Sequence, residues 1–424
     1  MLEKYNKKKV LIVTPYWPPA RLGGAEIINK EIAFLLKKNN FDVTVLTSCS
    51  FGARYFRDLL IFKSIKTYKN KQKGIKIIRL KHNPLKAFLI YLFNSFLYLL
   101  NFKDPFFRGP IVEKKEIENI LCRDNFDIIY CAPFPLRLIK HTIEVAEKIK
   151  NENKKNFLLI VRPDFKKAVG YFTDKSIGKY LRIADLIHVT TNSEKKDIIS
   201  IFKIHTKKLK KISCFLDLKK LQNINIIMKK VEKFKRKINL NNKKIILFMG
   251  NKSNDKGIST LLKAMEILFK KDKSYRLITV GEGDKTWFFL KNILGKSYKS
   301  FLIDMNYIEG VKKEIIFGSC DVFCMPSKND SFGLVYLEAW YKRKPVIGAK
   351  FPAIQEIIEK NKGGVCVEFG NALELAREIE RLSTNKKLAG YYGKNGYRAL
   401  IKNYTLEKIE NKILRLFNLK YEKN

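Results

Sequence analysis

Lys8 to Pro15, KKVLIVTP, is a continuous apolar run closed by proline, the pattern of a strand buried on both faces of a parallel sheet. A glycine loop follows. In GGAEIINKEIAFLLKKNN the apolar residues Ile27, Ile28, Ile32, Leu35 and Leu36 recur at helical spacing, and FDVTVLTS then reads as a second strand. Strand, glycine loop, helix and strand make one right-handed crossover unit, so the pattern predicts a Rossmann-like sheet. IKIIRL, FDIIYCA, NFLLIVRP and ADLIHVTT extend it, with helical patterns at Glu113 to Leu121 and Leu138 to Ile149.

The series restarts near Lys243. KKIILFMG, YRLITVGEG, CDVFCMPS, KPVIGA and GGVCVEF read as strands, alternating with helical stretches at Gly257 to Phe269, Gly333 to Trp340 and Asn371 to Leu382. The organisation predicted is α/β with two Rossmann-like domains, residues 1–214 and 215–404. The Lys-rich MKKVEKFKRKINL near the boundary reads as a basic connecting helix. The last helical stretch, Thr405 to Leu419, is a candidate to pack back on the first domain, so that 405–424 would complete it.

Length and composition fit this picture. The 424 residues suffice for two cores, and 46% apolar content excludes a disordered chain. Lys and Arg number 85 against 41 Asp and Glu, a formal charge of +44 that favours anionic partners, although a general Lys, Asn and Ile bias supplies part of it. The seven cysteines are scattered without metal-ligand spacing and the four histidines form no cluster, so reduced thiols and no metal site are expected. The N-terminal apolar run is too short for a signal peptide, which points to a cytoplasmic protein.

One segment departs from the alternation. Ala87 to Phe102, AFLIYLFNSFLYLLNF, carries no charge but is shorter than the ~20 residues needed to span a bilayer. It reads either as a core helix or as an interfacial helix on an anionic membrane surface.

Three places carry candidate chemistry. Gly23 and Gly24 precede a helix, where glycine backbone and helix amides can approach a diphosphate, or simply form a flexible loop. They lack the three-glycine spacing of a dinucleotide fingerprint. Lys256 stands where a strand gives way to a helix and could neutralise a phosphate, with help from Lys252; either could equally be a solvated charge. The third place is MPSKNDSFGLVYLEAW, Met325 to Trp340, in which Asp330 and Glu338 bracket a glycine turn.

If a helix starts near Phe332 and Gly333, its amides can bind phosphate, and eight helical residues separate the two acids by about 12 Å. The paired carboxylates of a glycosidase stand about 5 to 10 Å apart, so these acids suit the two ends of an elongated ligand better than one bond. A nucleotide sugar has that shape. The plainer alternative makes Asp330 a helix cap and Glu338 a surface residue.

Taken together, GGAE, ADLIHVTTNSEKKDI, GNKSNDKG, VGEGD, CDVFCMPSKNDSFGLVYLEAW and KPVIGAKFPAIQEII resemble the family 4 retaining glycosyltransferases in order and over nearly the whole chain. That resemblance implies a GT-B fold, two Rossmann-like domains facing each other across a cleft. It implies retaining transfer of a sugar from a nucleoside diphosphate sugar to an acceptor hydroxyl, without a cofactor, in polysaccharide or glycolipid assembly. By the family's acid pair, Glu338 would bind the donor ribose and Asp330 the transferred sugar. Ser331, Phe332, Gly333 and Leu334 would meet the diphosphate together with Gly23, Gly24 and Lys256, while Asn251, Lys252, Gly281 and Glu282 would complete the donor site.

Three departures are visible. Asp330 shortens the family's Glu, Asn251 replaces its phosphate-binding Arg, and Arg162-Pro163-Asp164 stand where a His is frequent. Arg162 and Asp164 are acceptor-binding candidates or a structural pair. The expected partners are a nucleotide sugar, a glycan or lipid-linked acceptor and an anionic membrane met through Ala87 to Phe102, with the protein peripheral on the inner face of the cell membrane. The alternative is a catalytically divergent member that binds nucleotide or glycan as an assembly partner. Nucleic acid is disfavoured, because no reading motif or aromatic-basic platform is present.

Overall fold

The computed structural model describes residues 7–52, 64–83, 85–86, 88–89, 109–166, 173–293, 297–328 and 330–419. Apart from Phe88 and Leu89, the Ala87 to Phe102 segment lies outside them. The chain divides into two compact units, Met1–Ser213 with Glu410–Asn424, and Cys214–Ile409.

In the first unit β1 (Lys9–Val13), β2 (Asp42–Ser48), β3 (Lys69–Gln72), β4 (Ile75–Leu80), β5 (Ile128–Cys131), β6 (Leu158–Val161), β7 (Leu186–Val189) and β8 (Leu209–Lys211) form one sheet in the order β3, β4, β2, β1, β5, β6, β7, β8. Every pairing is parallel except that of β3 with β4. The runs that read as two-sided strands are buried as such: Val10 to Val13 and Leu159 to Val161 are wholly enclosed. β3, KNKQ, has no apolar residue and gave no strand signal. It exists because Lys73 and Gly74, both at positive φ (47° and 78°), make a two-residue hairpin turn that lays it antiparallel on β4 at the sheet edge.

The C-terminal helix Leu406–Asn418 crosses the division between the units. Its later turns bury Ile413, Leu416 and Phe417, with the Phe417 ring 5.5 Å from that of Tyr130, and the Asn418 carbonyl accepts from Lys8 Nζ at 2.9 Å.

In the second unit β9 (Lys244–Met249), β10 (Tyr275–Val280), β11 (Leu302–Met305), β12 (Val322–Cys324), β13 (Val346–Ala349) and β14 (Gly364–Val367) form a wholly parallel sheet. Its order is β11, β10, β9, β12, β13, β14. The chain therefore starts in the middle, builds outwards to β11, then returns to β9's other side at β12. Such a reversal leaves a crevice beyond the carboxyl ends of the two central strands, where ligands bind in open α/β sheets. The basic stretch after the division forms helix Ile224–Lys237, which buries Ile227 and Val231 against helix Gly310–Ser319. Among the described residues no helix is long and apolar enough to cross a membrane.

Candidate functional site

In the second unit the segments after β9, β10 and β12 carry the candidate donor residues. After β9 the chain passes Asn251 and Lys252 into a short 3-10 turn, Asn254–Lys256, and then helix Ile258–Lys271. Gly257 joins the two at φ 77°, and a Cβ there would stand 2.2 Å from the Pro326 carbonyl oxygen. Both the left-handed backbone and the close approach require glycine. Lys328 N and Ser327 Oγ donate to the Asp255 carbonyl at 3.0 and 3.3 Å, and Lys328 Nζ lies 3.2 Å from the Asp255 carboxylate. The loops after β9 and β12 are thereby sewn together across the reversal in strand order. Gly257→Ala is expected to destabilise the protein by about 1–3 kcal/mol, read as a lower urea midpoint at unchanged slope.

This stitching brings Lys256 Nζ to 2.6 Å from Asp330 Oδ1, with both side chains mostly buried. Asp330 Oδ2 is buried and has no hydrogen-bond partner among the described residues. The helix after it begins at Leu334, behind Gly333 at φ 82°. Asp330 is therefore in the loop, and the helical rise applies only from Leu334 to Glu338, about 6 Å. The amides of Phe332, Gly333 and Leu334 have no acceptor among the described residues outside regular helix bonds. The Phe332 ring is buried edge-on against Tyr404, which fixes the turn from beneath.

Glu338 repeats the arrangement of Asp330. Its Oε1 accepts from Lys313 Nζ at 2.5 Å, while Oε2 is buried without a partner among the described residues. A buried carboxylate oxygen left unpaired is costly, and two of them at the ends of one loop-helix segment mark places where a ligand hydroxyl would be welcome.

Asn251 is exposed, whereas Lys252 is 2% exposed. The Lys252 ammonium donates to Asp304 Oδ1 at 2.5 Å and to the Met305 carbonyl at 2.7 Å, and lies 5.3 Å from the Trp287 ring centre. Burial lowers the pKa of Lys252. Burial works the opposite way on Asp304, but donation from Lys252, Lys291 and Thr279 outweighs it and holds that carboxyl below its usual range. Lys252 thus ties β9 to β11. Its N–H also donates to the Glu282 carbonyl at 2.7 Å, which sets Gly281 and Glu282 beside the β9 loop.

The first unit holds the remaining candidates. Gly23 precedes helix Gly24–Lys38, and its N–H donates to Glu26 Oε2 at 3.0 Å. Arg162 is wholly buried; Nε and Nη2 donate to the two Asp164 oxygens at 3.1 and 3.3 Å, and Nη2 also donates to the Ala25 carbonyl at 2.9 Å. Arg162 and Asp164 are therefore paired, and the guanidinium anchors the first turn after Gly23 and Gly24.

Two further buried acids surround this pair. Burial raises Glu26, with the Asp164 charge adding to the rise and Arg162 opposing it. Glu194 is pushed up to about 7, chiefly by burial and also by Asp164, in spite of donation from Thr190 and Phe165 amides at 2.6 Å each. His188 Nε2 faces the Ile212 carbonyl at 2.8 Å and so carries the proton, leaving Nδ1 to accept from Tyr130 Oη at 2.9 Å. Burial, reinforced by Arg162, holds His188 down to about 4.

Known proteins share this architecture. The family model for glycosyl transferases group 1 matches residues 230–399. An uncharacterized glycosyltransferase of Methanocaldococcus jannaschii is 23% identical over 98% of this chain and 99% of its own. Sucrose-phosphate synthase of Thermosynechococcus elongatus superposes with a TM-score of 0.73 at 17% identity, covering 97% of this chain and 98% of that one. HepE of Anabaena, solved with UDP and glucose, superposes at 0.68 with 16% identity, covering 97% of this chain and all of that one. The fold is GT-B.

The GT-B frame gathers Lys256, Asp330 and the Phe332 to Leu334 turn at one strand-order reversal in the second unit, and holds Gly23, Gly24, Arg162 and Asp164 in the first. Sequence reasoning passed over Lys313, Glu26 and Glu194. Glu26 and Glu194 had a readable signal: each stands three residues after a helix-start residue, Gly23 and Thr191, and Thr191 Oγ1 does accept from Glu194 N. Nothing local distinguishes Lys313 from the other lysines of the chain.

Proposed function

We propose that this chain is a family 4 retaining glycosyltransferase that moves a hexose or related sugar from a nucleoside diphosphate donor to an acceptor hydroxyl. The observation that carries the reading is the Lys256–Asp330 pair across the β9/β12 reversal, an ammonium and a half-satisfied carboxylate beside free amides. Lys256 and the amides of Phe332, Gly333 and Leu334 would stabilise the charge developing on the leaving diphosphate. Asp330 would take a sugar hydroxyl on Oδ2, Glu338 the ribose, and Asn251, Gly281, Glu282 and Ser331 the remaining polar edges. Lys252 would act through backbone placement, since its ammonium is committed to Asp304. No resident cofactor enters the scheme.

The excess of positive charge supports a lipid-linked or polyanionic glycan acceptor at the cytoplasmic face of a membrane, in polysaccharide or glycolipid assembly. Relatives bearing glycosyltransferase names over the full chain support the reaction class.

A thermal-shift screen of nucleoside diphosphate sugars, followed by NMR of the anomeric product with the best donor, tests the reading. An axial-to-axial or equatorial-to-equatorial outcome is expected; an inverted anomer overturns retention, and binding without transfer to any acceptor makes the chain a divergent binding protein. With the same donor, Glu338→Ala is expected to raise KM about tenfold with a smaller change in kcat, the signature of lost ground-state binding.

A further inference from the structure

From adjacent positions, helix Gly310–Ser319 makes two ion pairs, one to helix Leu334–Tyr341 and one to Lys342, the residue that caps it. Glu314 Oε2 and Lys342 Nζ are 2.8 Å apart with 11% and 2% of their side chains exposed, and both Glu314 oxygens also accept from Gln222 N at 3.2 Å. One residue earlier on the first helix, Lys313 Nζ reaches Glu338 Oε1 at 2.5 Å, with 23% and 17% exposed. Glu338 lies one turn before Lys342.

The two pairs differ in what they leave over. Glu314 is saturated by Lys342 and the Gln222 amide, so the inner pair fixes the register of the helices. The outer pair leaves Glu338 Oε2 enclosed and unpaired. An ammonium on one carboxylate oxygen locks the rotamer and keeps the charge, while the other oxygen stays open as a strong acceptor.

We propose that Lys313 is a positioning residue for nucleotide binding: it holds Glu338 so that Oε2 accepts a ribose hydroxyl of the donor. This inference rests on the donor-site reading above. Lys313 does not touch the nucleotide; its effect passes through Glu338 and is confined to the hydroxyl that Glu338 receives. Because Glu314–Lys342 carries the helix register, the fold is expected to survive the loss of Lys313.

Calorimetric titration with UDP and GDP, and with their 2′-deoxy and 3′-deoxy forms, tests this on the wild type, Lys313→Met and Lys313→Arg. Lys313→Met is expected to weaken the better ribonucleotide about tenfold. For the deoxy form lacking the recognised hydroxyl, wild type and Lys313→Met should bind alike, and Lys313→Arg should recover most of the ribonucleotide affinity. In transfer assays the loss should fall on donor KM with kcat unchanged. Wild-type affinity in Lys313→Met, or an equal loss for ribo and both deoxy forms, overturns the inference. Failure of the wild type to bind either ribonucleotide overturns the donor-site reading itself. Should Lys313→Met fold poorly, Lys313→Gln, which retains a donor to Oε1, is expected to show a smaller loss with the same dependence on the hydroxyl.

Discussion

Lys256→Met is expected to lower kcat by about 10²–10³ while the nucleotide still binds. Removal of one preorganised donor to a developing negative charge costs that much in well-characterised sites. Lys256 meets the condition of preorganisation, since it leaves a turn closed by left-handed Gly257 and braced against Pro326, and its ammonium is already directed at Asp330. Losing it also strands the mostly buried Asp330 carboxylate without its Lys256 counter-charge. Lys256→Arg keeps the charge but not the compact shape, and is expected to fall between the two. Steady-state kinetics with the donor from the thermal-shift screen provides the check; a kcat within threefold of wild type for Lys256→Met would remove this lysine from the mechanism.

Arg162→Met is expected to cost about 3–5 kcal/mol of stability at pH 8, because it removes the cation that pairs with the Asp164 carboxylate and opposes the rise of buried Glu26. The cost should depend on pH in a definite sense. Burial, with the Asp164 charge, pushes Glu194 up to about 7 from an ordinary 4.5, so the folded state binds the proton more tightly. Its contribution to stability is complete below about 4.5 and is lost as pH rises through about 7. Glu26 is displaced in the same direction, and because Arg162 opposes that rise, its removal raises Glu26 further and makes the variant lose more stability than the wild type as pH rises. Other acids, such as Asp272, held down to about 2 by Lys244 and Ser274, act oppositely, so the informative quantity is the difference between variant and wild type. Urea midpoints at pH 5 and pH 8 should show a larger gap at pH 8. A gap that narrows with rising pH would mean that Arg162 is not the charge on which Glu26 and Asp164 depend.

Most of the fold was legible because most strands are buried on both faces, and burial on both faces writes an unbroken apolar run. KIILFM and VLIV could hardly be anything else once glycine loops and amphipathic helices separated them. β3 escaped because an antiparallel edge strand needs a turn and a neighbour rather than a hydrophobic face. β11 escaped because LIDM is short, partly exposed and interrupted by Asp304, whose purpose is visible only when Lys252 and Lys291 arrive from elsewhere in the chain. Among the candidate site residues, Lys256, Asp330 and Glu338 were marked by neighbours: a glycine after a strand, and a turn between two acids. Lys313 had no such neighbours, and in a chain with 85 basic residues one more lysine carries no information until its partner is placed in space. The helix start at Leu334 shows the same limit in finer detail, since the local pattern fits a start at Phe332 and only Gly333's left-handed backbone sets it later.

The seam between Asp255–Gly257 and Pro326–Lys328 divides the proposed donor site mechanically. On its side, Lys256 and Asp330 ride on backbone that is bonded to itself and cannot shift one loop without the other. On the far side, Glu338 is steadied by a lysine with four rotatable carbons. On the proposed donor reading, a library built on the seam would mostly return misfolded proteins, whereas one built on Lys313 would change how the ribose hydroxyl is held and leave the Lys256–Asp330 end intact. On that reading, selection for altered ribose recognition would find its first useful substitutions on helix Gly310–Ser319, outside the Met325 to Trp340 segment that holds the two acids.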